Sequence, residues 1–178
     1  MRKIILQLAI SLDGFIEGPQ GDYDWCFTDQ DYGMGDFLKR IDTIFLGRKT
    51  YDMMKDIPVN PYDPFTASLA HVKQYVFSNS LDTISSNESY QLINHDSLQW
   101  IKEYKQTSGK DIWLFGGAGL TSSLFRAHLI DELVLAVHPI LLGAGKSFAQ
   151  GLNERVKLDF SGSDNYNTGL VMMRYTVS

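Results

Sequence analysis

The feature that most constrains this chain is an apolar, strand-like run that ends in glycines and passes directly into a helical pattern. Residues 111–115 read Asp-Ile-Trp-Leu-Phe, Gly-Gly-Ala-Gly follows at 116–119, and the apolar spacing from Leu120 to Leu129 predicts a short amphipathic helix. A glycine turn between a strand and a helix presents backbone N–H groups and the positive end of the helix dipole to one space, which suits a phosphate. Glycines also occupy such turns for geometry alone. Both interpretations stay open at this point.

The size and charge of the chain exclude several classes of protein. Its 178 residues, 44% of them hydrophobic and 21% charged, predict a single globular domain over residues 1–178. The net charge of −5 and the scattered basic residues argue against a nucleic-acid partner. No apolar run approaches the roughly 20 residues that span a bilayer, and the N-terminus lacks a convincing signal-peptide cleavage site. We therefore expect a cytoplasmic protein without a membrane partner.

The cysteine and histidine content argues against disulfides and metal sites. Cys26 is the only cysteine, so neither an intrachain disulfide nor a thiolate metal site is expected. The four histidines share no metal-ligand spacing, so no metal is predicted. His138, at the end of an apolar strand, is interpreted as a hydrogen-bonded core residue. Trp25 and Phe27 either pack in the core or cover a flat substrate ring.

Strand and helix patterns alternate along the chain, and a hairpin closes it. This alternation predicts an α/β fold with a mostly parallel central sheet flanked by helices and an antiparallel C-terminal hairpin. Ser97 is a plausible N-cap of one helix. The predicted strands cover Lys3–Ile10, Thr43–Leu46, Gln74–Phe77, Tyr90–Ile93, 111–115, Glu132–Pro139, Val156–Gly162 and Leu170–Val177. The predicted helices cover Tyr32–Ile41, Thr50–Lys55, Ser97–Gln106 and Leu120–Leu129.

Three strand ends offer groups that bind phosphates. Gly47-Arg48-Lys49-Thr50 follows the second strand, Ser78-Asn79 follows the third, and the glycines at 116–119 follow the fifth. In open α/β sheets ligands bind at the carboxyl ends of the strands. Cations at a helix N-terminus are unfavourably placed against the dipole, and a bound anion removes that penalty. We therefore expect a phosphorylated dinucleotide at this edge, although Arg48 and Lys49 are also compatible with a solvated helix start.

Five segments along the chain form a recognisable pattern. They read Leu-Ala-Ile-Ser-Leu-Asp-Gly-Phe-Ile at 8–16, Phe-Leu-Gly-Arg-Lys-Thr-Tyr at 45–51, Val-Phe-Ser-Asn-Ser at 76–80, Trp-Leu-Phe-Gly-Gly-Ala-Gly-Leu at 113–120 and His-Pro-Ile-Leu-Leu-Gly-Ala-Gly at 138–145. In this order they resemble the dihydrofolate-reductase-like superfamily, and the branch related to the C-terminal reductase domain of bacterial riboflavin biosynthesis. The order and spacing of the five segments together indicate this superfamily more specifically than any single segment does.

The resemblance implies a dihydrofolate-reductase-like three-layer fold and an NADPH-dependent reductase. The reaction would deliver hydride to a small planar or carbonyl-bearing substrate and be related to that of 5-amino-6-(5-phosphoribosylamino)uracil reductase. Relatives in this branch are dimeric, so a homodimer is expected. In the implied arrangement, Ala9 and Ile16 border the nicotinamide. The residues implied to hold the phosphates and the adenosine ribose are Gly47, Arg48, Lys49, Thr50, Ser78, Asn79, Phe115, Gly116, Gly117, Ala118, Gly119 and Leu120.

The resemblance is weaker at the substrate position. Dihydrofolate reductases carry a carboxylate on the first helix, and Asp36, with Asp31 nearby, lies near that position and is the candidate catalytic acid. These enzymes also carry a threonine on the facing strand, where this chain has Ala136, which argues against folate reduction. The alternative is a non-catalytic NADP(H)-binding or nucleotide-binding regulatory protein on the same scaffold. A Rossmann dehydrogenase is disfavoured because about 110 residues precede the glycine turn, which normally opens that fold.

Overall fold

The computed structural model describes residues 1–58, 60, 62–69, 71–84 and 90–178. Within them the chain forms ten strands and five helices. The strands are β1 (Ile4–Ser11), β2 (Phe15–Glu17), β3 (Ile41–Gly47), β4 (Lys73–Phe77), β5 (Tyr90–Ile93), β6 (Asp111–Gly116), β7 (Glu132–His138), β8 (Lys146–Ser147), β9 (Leu158–Asn165) and β10 (Val171–Val177). The helices are α1 (Met34–Arg40), α2 (Arg48–Met54), α3 (Pro64–Leu69), α4 (Ser97–Lys105) and α5 (Ala118–Arg126).

Eight of these strands form one sheet in the order β5-β4-β3-β6-β1-β7-β10-β9. The six strands from β5 to β7 pair in parallel, while β10 pairs antiparallel with both β7 and β9. A second sheet consists of β2 and β8 alone. The predicted α/β architecture, mostly parallel with an antiparallel C-terminal hairpin, is confirmed.

Hydrophobic residues fill both faces of the large sheet, because successive strand residues point to opposite sides. In β1, Ile4 and Leu6 belong to one buried cluster and Ile5 to the other. Helices α4 and α5 contribute to the first cluster through Ile101 and Leu124, among others. The second cluster includes residues of α1, α2 and α3. Two helical layers therefore enclose the central strands, whose nearly continuous apolar runs reflect burial on both faces.

Several predicted boundaries were wrong by short distances, and short elements were missed. Helix α2 begins at Arg48 and α5 at Ala118, two residues earlier than predicted in each case, so the glycine turns lead into the helices without a linker. Ser97 is the first residue of α4 and not its cap; Asp96, at φ 47°, occupies the capping position. Helix α3 and strands β2 and β8 were not predicted.

Ion pairs stabilise the edge of the sheet where the parallel strands begin. The buried Lys105 donates hydrogen bonds from Nζ to Asp131 Oδ2 at 2.7 Å and to the Leu129 carbonyl at 3.1 Å. Arg2, also buried, pairs with Asp42 and donates to Thr43 Oγ1 at 2.7 Å. These charges lie at the opposite edge from the glycine turns, so they serve the fold.

No helix among the described residues is long and apolar enough to cross a membrane.

Candidate functional site

A single cleft of about 2150 Å³ follows the carboxyl ends of the parallel strands. All fourteen residues predicted to bind the cofactor line it, although they come from five separate segments of the chain. Adjacent parallel strands end at the same edge of a sheet, which explains how distant segments meet there. The fourteen lining residues are Ala9, Ile16, Gly47, Arg48, Lys49, Thr50, Ser78, Asn79, Phe115, Gly116, Gly117, Ala118, Gly119 and Leu120.

The glycines of β3 and β6 allow two backbones to approach closely. A Cβ at Gly47 would lie 3.0 Å from the backbone nitrogen of Gly117, and a Cβ at Gly117 would lie 3.3 Å from Thr50 Oγ1. Gly116 has φ +130°, a conformation that side chains rarely adopt, and a cis peptide bond joins it to Gly117. The φ of Gly116 and the close approach at Gly47 and Gly117 therefore require glycine for the turn geometry. This was one of the two reasons for the glycines that the sequence left open.

The first turn of α5 presents backbone donors to the cleft. The helix is capped by Gly117, and the first helical hydrogen bond runs from the Thr121 N–H to the Gly117 carbonyl at 3.1 Å. The N–H groups before Thr121 in the helix have no carbonyl of the preceding turn to bind. A Cβ added at Gly119 would meet no atom within 4 Å, so its backbone faces open space. Space beside unpaired donors suits an anion.

Arg48 is fixed between its own helix and the loop after β4. Its Nη1 donates to Ser80 Oγ at 2.8 Å, and its Nε lies 3.6 Å from Asp52 Oδ2 one turn along α2. Ser78 Oγ accepts the Ser80 N–H at 3.2 Å, which orders the same loop. The neighbouring Lys49 is exposed. Ser80 was not predicted as a site residue, because its contact with Arg48 joins positions 32 residues apart.

The other end of the cleft lies over β1 and β7. Ala9 and Ala136 are directly paired in the strand register, so two methyl side chains form adjacent parts of the cleft wall. His138 closes β7 and is 2% exposed. Its Nδ1 lies 3.0 Å from the Ala136 carbonyl, and its Nε2 accepts the Phe27 N–H at 3.1 Å. Because a carbonyl only accepts, the proton of the neutral ring lies on Nδ1.

His138 anchors the segment that leads to α1. Burial is the main cause that lowers the pKa of the His138 imidazole below its usual range. The rings of Trp25 and Phe27 lie 5.3 Å and 5.1 Å from the imidazole, measured between centroids. This arrangement confirms the interpretation of His138 as a hydrogen-bonded core residue. Phe27, at 36% exposure, lines the cleft.

Tyr32 joins the start of α1 to the C-terminal hairpin. Its hydroxyl is 3.1 Å from Thr168 Oγ1, and its ring packs edge-on against Tyr166 at 4.9 Å between centroids. Tyr32 and Met34 both line the cleft. The segment before α1 therefore forms the wall of the cleft beside β7 and β10.

The structure does not bring Asp36 into this site. Its side chain is 87% exposed, pairs with Lys39 at 2.7 Å and does not line the cleft. The Lys39 ammonium lowers the pKa of the Asp36 carboxyl through a hydrogen bond. Near the start of α1, the carboxylate that does line the cleft is Asp31, whose Oδ1 accepts the Gly35 N–H at 2.9 Å. Asp36 therefore lies outside the cleft, because its position on α1 faces solvent, and this geometry does not support its predicted catalytic role.

Two carboxylates on the segment after β1 hold the 142–146 segment in place. Asp13 accepts hydrogen bonds from the N–H groups of Gly143 at 2.8 Å and Leu142 at 3.2 Å. The Ser11 hydroxyl donates to it at 2.6 Å and is the main cause that lowers the pKa of the Asp13 carboxyl. Glu17 pairs with Lys146 at 3.0 Å, joining β2 to β8. Neither contact was predicted from the sequence, because they join positions that are 130 and 129 residues apart.

The family of the chain follows from comparison with known proteins. Residues 2–172 match the family described as the RibD C-terminal domain. The chain therefore belongs to the RibD C-terminal domain family. It is 41% identical to the uncharacterised protein YyaP of Bacillus subtilis (strain 168), over 98% of this chain and 94% of that protein. It is 34% identical to the uncharacterised protein YwjB of the same strain, over 93% and 92%.

Solved structures share the fold. A putative riboflavin biosynthesis protein from Shewanella sp. PV-4 superposes with a TM-score of 0.82 at 23% identity, covering 99% of both chains. A diaminohydroxyphosphoribosylaminopyrimidine deaminase/5-amino-6-(5-phosphoribosylamino)uracil reductase from Thermotoga maritima gives 0.74 at 16% identity, covering 99% of this chain and 57% of that one. A pyrimidine reductase-like protein from Corynebacterium diphtheriae gives 0.69 at 14% identity, over 99% and 92%. At these identities the likeness establishes the fold.

Proposed function

We propose that the protein is an NADPH-dependent reductase that delivers hydride to a small planar or carbonyl-bearing substrate. The observation that carries the proposal is the convergence of three strand ends on one end of a single cleft. Those ends supply glycine backbone, hydroxyl groups and two cations, which is the chemistry that a phosphorylated dinucleotide requires. Membership of a reductase-like family supports the same reaction class.

The residues present fit the phosphate groups of NADPH. The backbone of Gly119 faces open space beside the unpaired donors of the first turn of α5, as a pyrophosphate site requires. Arg48, held by Ser80 and Asp52, would bind the phosphate on the adenosine ribose together with Ser78 and Asn79. Lys49 and Thr50 would add a further cation and a hydroxyl on the pyrophosphate side. Because NADH lacks the phosphate that Arg48 would bind, we expect the protein to prefer NADPH over NADH.

The other end of the cleft would hold the nicotinamide and the substrate. Ala9, beside Ala136, and Ile16 would border the ring, because small side chains at the strand ends let a flat ring lie against the sheet. When bound, NADPH supplies the hydride. The chain's own residues would orient the nicotinamide and the substrate and exclude water. The hydrogen bond from the Phe27 N–H to His138 would hold the segment between β2 and α1 against the cleft.

A second candidate is a non-catalytic NADP(H)-binding or nucleotide-binding regulatory protein. Three observations favour it. Asp36 lies outside the cleft, and both ring nitrogens of the buried His138 are engaged in hydrogen bonds. Ala136 has no hydroxyl to offer a substrate. If the reaction uses a protein acid near the start of α1, Asp31 is the candidate there, because its carboxylate lines the cleft.

NADPH oxidation distinguishes the two candidates. The protein is incubated with NADPH and a panel of carbonyl compounds, imines and reduced pterins, and nicotinamide absorbance is followed. The reductase proposal expects substrate-dependent loss of absorbance, faster with NADPH than with NADH. Tight NADPH binding without turnover on any panel member would favour the regulatory candidate. Absence of NADPH binding would contradict the reductase and the NADP(H)-binding form of the regulatory candidate.

A further inference from the structure

The charges that line the cleft divide it into two unlike halves. Arg48 and Lys49 follow β3, and Lys102 belongs to α4, which follows β5, so these cations lie toward the β4–β5 side of the sheet. The remaining charged side chains lining the described part of the cleft, His138 apart, comprise several acids and a single lysine. They are Glu17, Asp31, Asp63, Asp96 and Lys146, and Asp96, which directly precedes α4, lies on the side of the cations.

The far half of the cleft, over β1, β7 and β10, contains Glu17, Asp31 and Lys146. Glu17 and Lys146 belong to the β2–β8 pair that follows β1, and the contact of Tyr32 with Thr168 places Asp31 beside the C-terminal hairpin. The ammonium of Lys146 is engaged by Glu17 Oε1 at 3.0 Å. The described lining of this half therefore offers no uncompensated cation and carries one carboxylate in excess. A phosphate ester placed there would meet like charge without a charged partner.

Gln7 gives the same half a neutral polar group. It lies on the strand face of β1 that also carries Ile5 and Ala9, it is 8% exposed, and it lines the cleft. Its surroundings on this face of the sheet are apolar and aromatic, including Trp113, whose indole nitrogen donates to the Gln7 backbone carbonyl at 3.0 Å. A carboxamide both donates and accepts hydrogen bonds without a charge.

We propose that the far half binds an uncharged, unphosphorylated planar molecule whose polar edge is hydrogen-bonded by the side chain of Gln7. This inference rests on the proposed function, because it takes that molecule as the substrate of the NADPH-dependent reduction. It assigns Gln7 a specificity-determining role. In this proposal the ion pair with Glu17 neutralises the Lys146 ammonium, so that this lysine does not attract anionic ligands.

The test compares matched probes that differ by one phosphate: riboflavin with FMN, pyridoxal with pyridoxal 5′-phosphate, and uridine with uridine 5′-monophosphate. Binding is measured by calorimetry on wild-type protein saturated with NADPH, so that the cationic half is filled. At least one free probe binds, and its phosphate ester binds about tenfold more weakly or worse. A phosphate ester that binds as tightly as its free form, or no free probe binding at about 1 mM, overturns the proposal.

Two variants test the residues. Glu17→Gln removes the charged partner of the Lys146 ammonium, so the phosphate ester should bind only about threefold more weakly than the free probe, or less. The exposed control Glu154→Gln should keep the wild-type ratio of the two dissociation constants. Gln7→Leu lowers affinity for the free probe by about fivefold or more, with NADPH affinity unchanged. If that variant fails to fold, Gln7→Met replaces it. An unchanged penalty in Glu17→Gln, or unchanged probe affinity in the Gln7 variant, contradicts the assigned role.

Failure of the proposed function gives a different result. If NADPH does not bind to wild-type protein, that function fails, and the probes are then measured on the doubly substituted Arg48→Ala, Lys49→Ala protein, whose cationic half is weakened. A retained preference for free probes there would support the charge argument without the cofactor. A preference for phosphate esters would contradict the charge argument as well as the proposed function.

Discussion

Gly119 separates the requirements of folding from those of ligand binding. A Cβ at this position meets no protein atom within 4 Å, and the residue lies in the first turn of α5. Alanine is the better helix former by about 1 kcal/mol, so Gly119→Ala is expected to leave the free energy of unfolding unchanged or raise it slightly. The added methyl group would occupy the space where a pyrophosphate approaches the backbone. We expect NADPH affinity to fall about tenfold, measured by calorimetry.

Gly47 provides the matched comparison. Its Cβ would lie 3.0 Å from the backbone nitrogen of Gly117, where the turn must shift to make room. Gly47→Ala is therefore expected to lose both stability and NADPH affinity. Gly119→Ala protein that unfolds more easily than wild type, or that binds NADPH normally, would contradict the interpretation of this turn.

His138 predicts how stability depends on pH. Burial lowers the pKa of its imidazole in the folded protein, so the unfolded chain binds a proton more readily. The stabilising contribution is complete above the ordinary histidine pKa of about 6.5 and is lost as the pH falls toward the folded value, by at most about 1.4 kcal/mol per pH unit. Denaturant unfolding at neutral pH and at mildly acidic pH measures this loss. The free energy of unfolding of His138→Gln should fall less between the two pH values than that of wild type. An equal fall in both proteins would contradict the role of His138.

The sequence located the groups that line the cleft after β3, β4 and β6 better than it located a carboxylate of the cleft. Glycines and cations directly after apolar strands are local signals, and the parallel sheet brings them together. The position of a carboxylate depends on the rotation of a short helix, which one residue changes by about 100°. Asp31 and Asp36 both lay near the expected position, and only the structure separates the cleft-lining Asp31 from the exposed Asp36. The Phe27 N–H bond to His138 spans 111 residues and has no local signal.

At the scale of elements, the ion pair between α4 and the segment before β7 is expected to stabilise the fold without affecting the cleft. Asp131 Oδ2 accepts hydrogen bonds from Lys105 Nζ and from the Ile4 N–H, both at 2.7 Å. Asp131→Ala leaves the buried ammonium of Lys105 without its charged partner, so the free energy of unfolding should fall by about 3 kcal/mol. Denaturant titration measures the change.

NADPH affinity is the control for this prediction, because Asp131 lies at the edge of the sheet opposite the cleft. It should remain at the wild-type value in the folded Asp131→Ala protein. Glu154→Ala, which removes an exposed carboxylate, should change stability by less than about 0.5 kcal/mol. Equal losses in the two variants would mean that the buried pair does not contribute as argued.

Long elements with continuous apolar runs were predictable because burial on both faces leaves a strong pattern, as in β1, β6 and β7. The short elements were not. Strands β2 and β8 contain three and two residues, and they exist because they pair with each other across more than a hundred residues of chain. Their closeness depends on Gly145, where a Cβ would clash with the Glu17 carbonyl oxygen. Such pairing is a tertiary effect without a local sequence signal.

At the scale of the whole molecule, we propose a homodimer formed through the β9 edge of the sheet. Strand β9 is the last in the sheet order and is exposed along most of its length, with Phe160 at 63% and Leu158 at 37%. Exposed apolar side chains on an edge strand favour pairing with another chain. Light scattering should give about twice the 20.1 kDa chain mass. Phe160→Glu should give monomers, and a monomeric wild-type protein would contradict the proposal.

The central claim is that the cationic end of the cleft binds NADPH through its extra phosphate, and calorimetric titration of Arg48→Ala with NADPH and NADH tests it most directly. Loss of a charge-assisted hydrogen bond should weaken NADPH binding about tenfold or more and NADH binding by less than about threefold. Arg155→Ala, an exposed arginine outside the cleft lining, should match wild type. Equal weakening for both nucleotides would contradict the role of Arg48 at the 2′-phosphate, and wild-type protein that binds neither nucleotide would contradict the cofactor site itself.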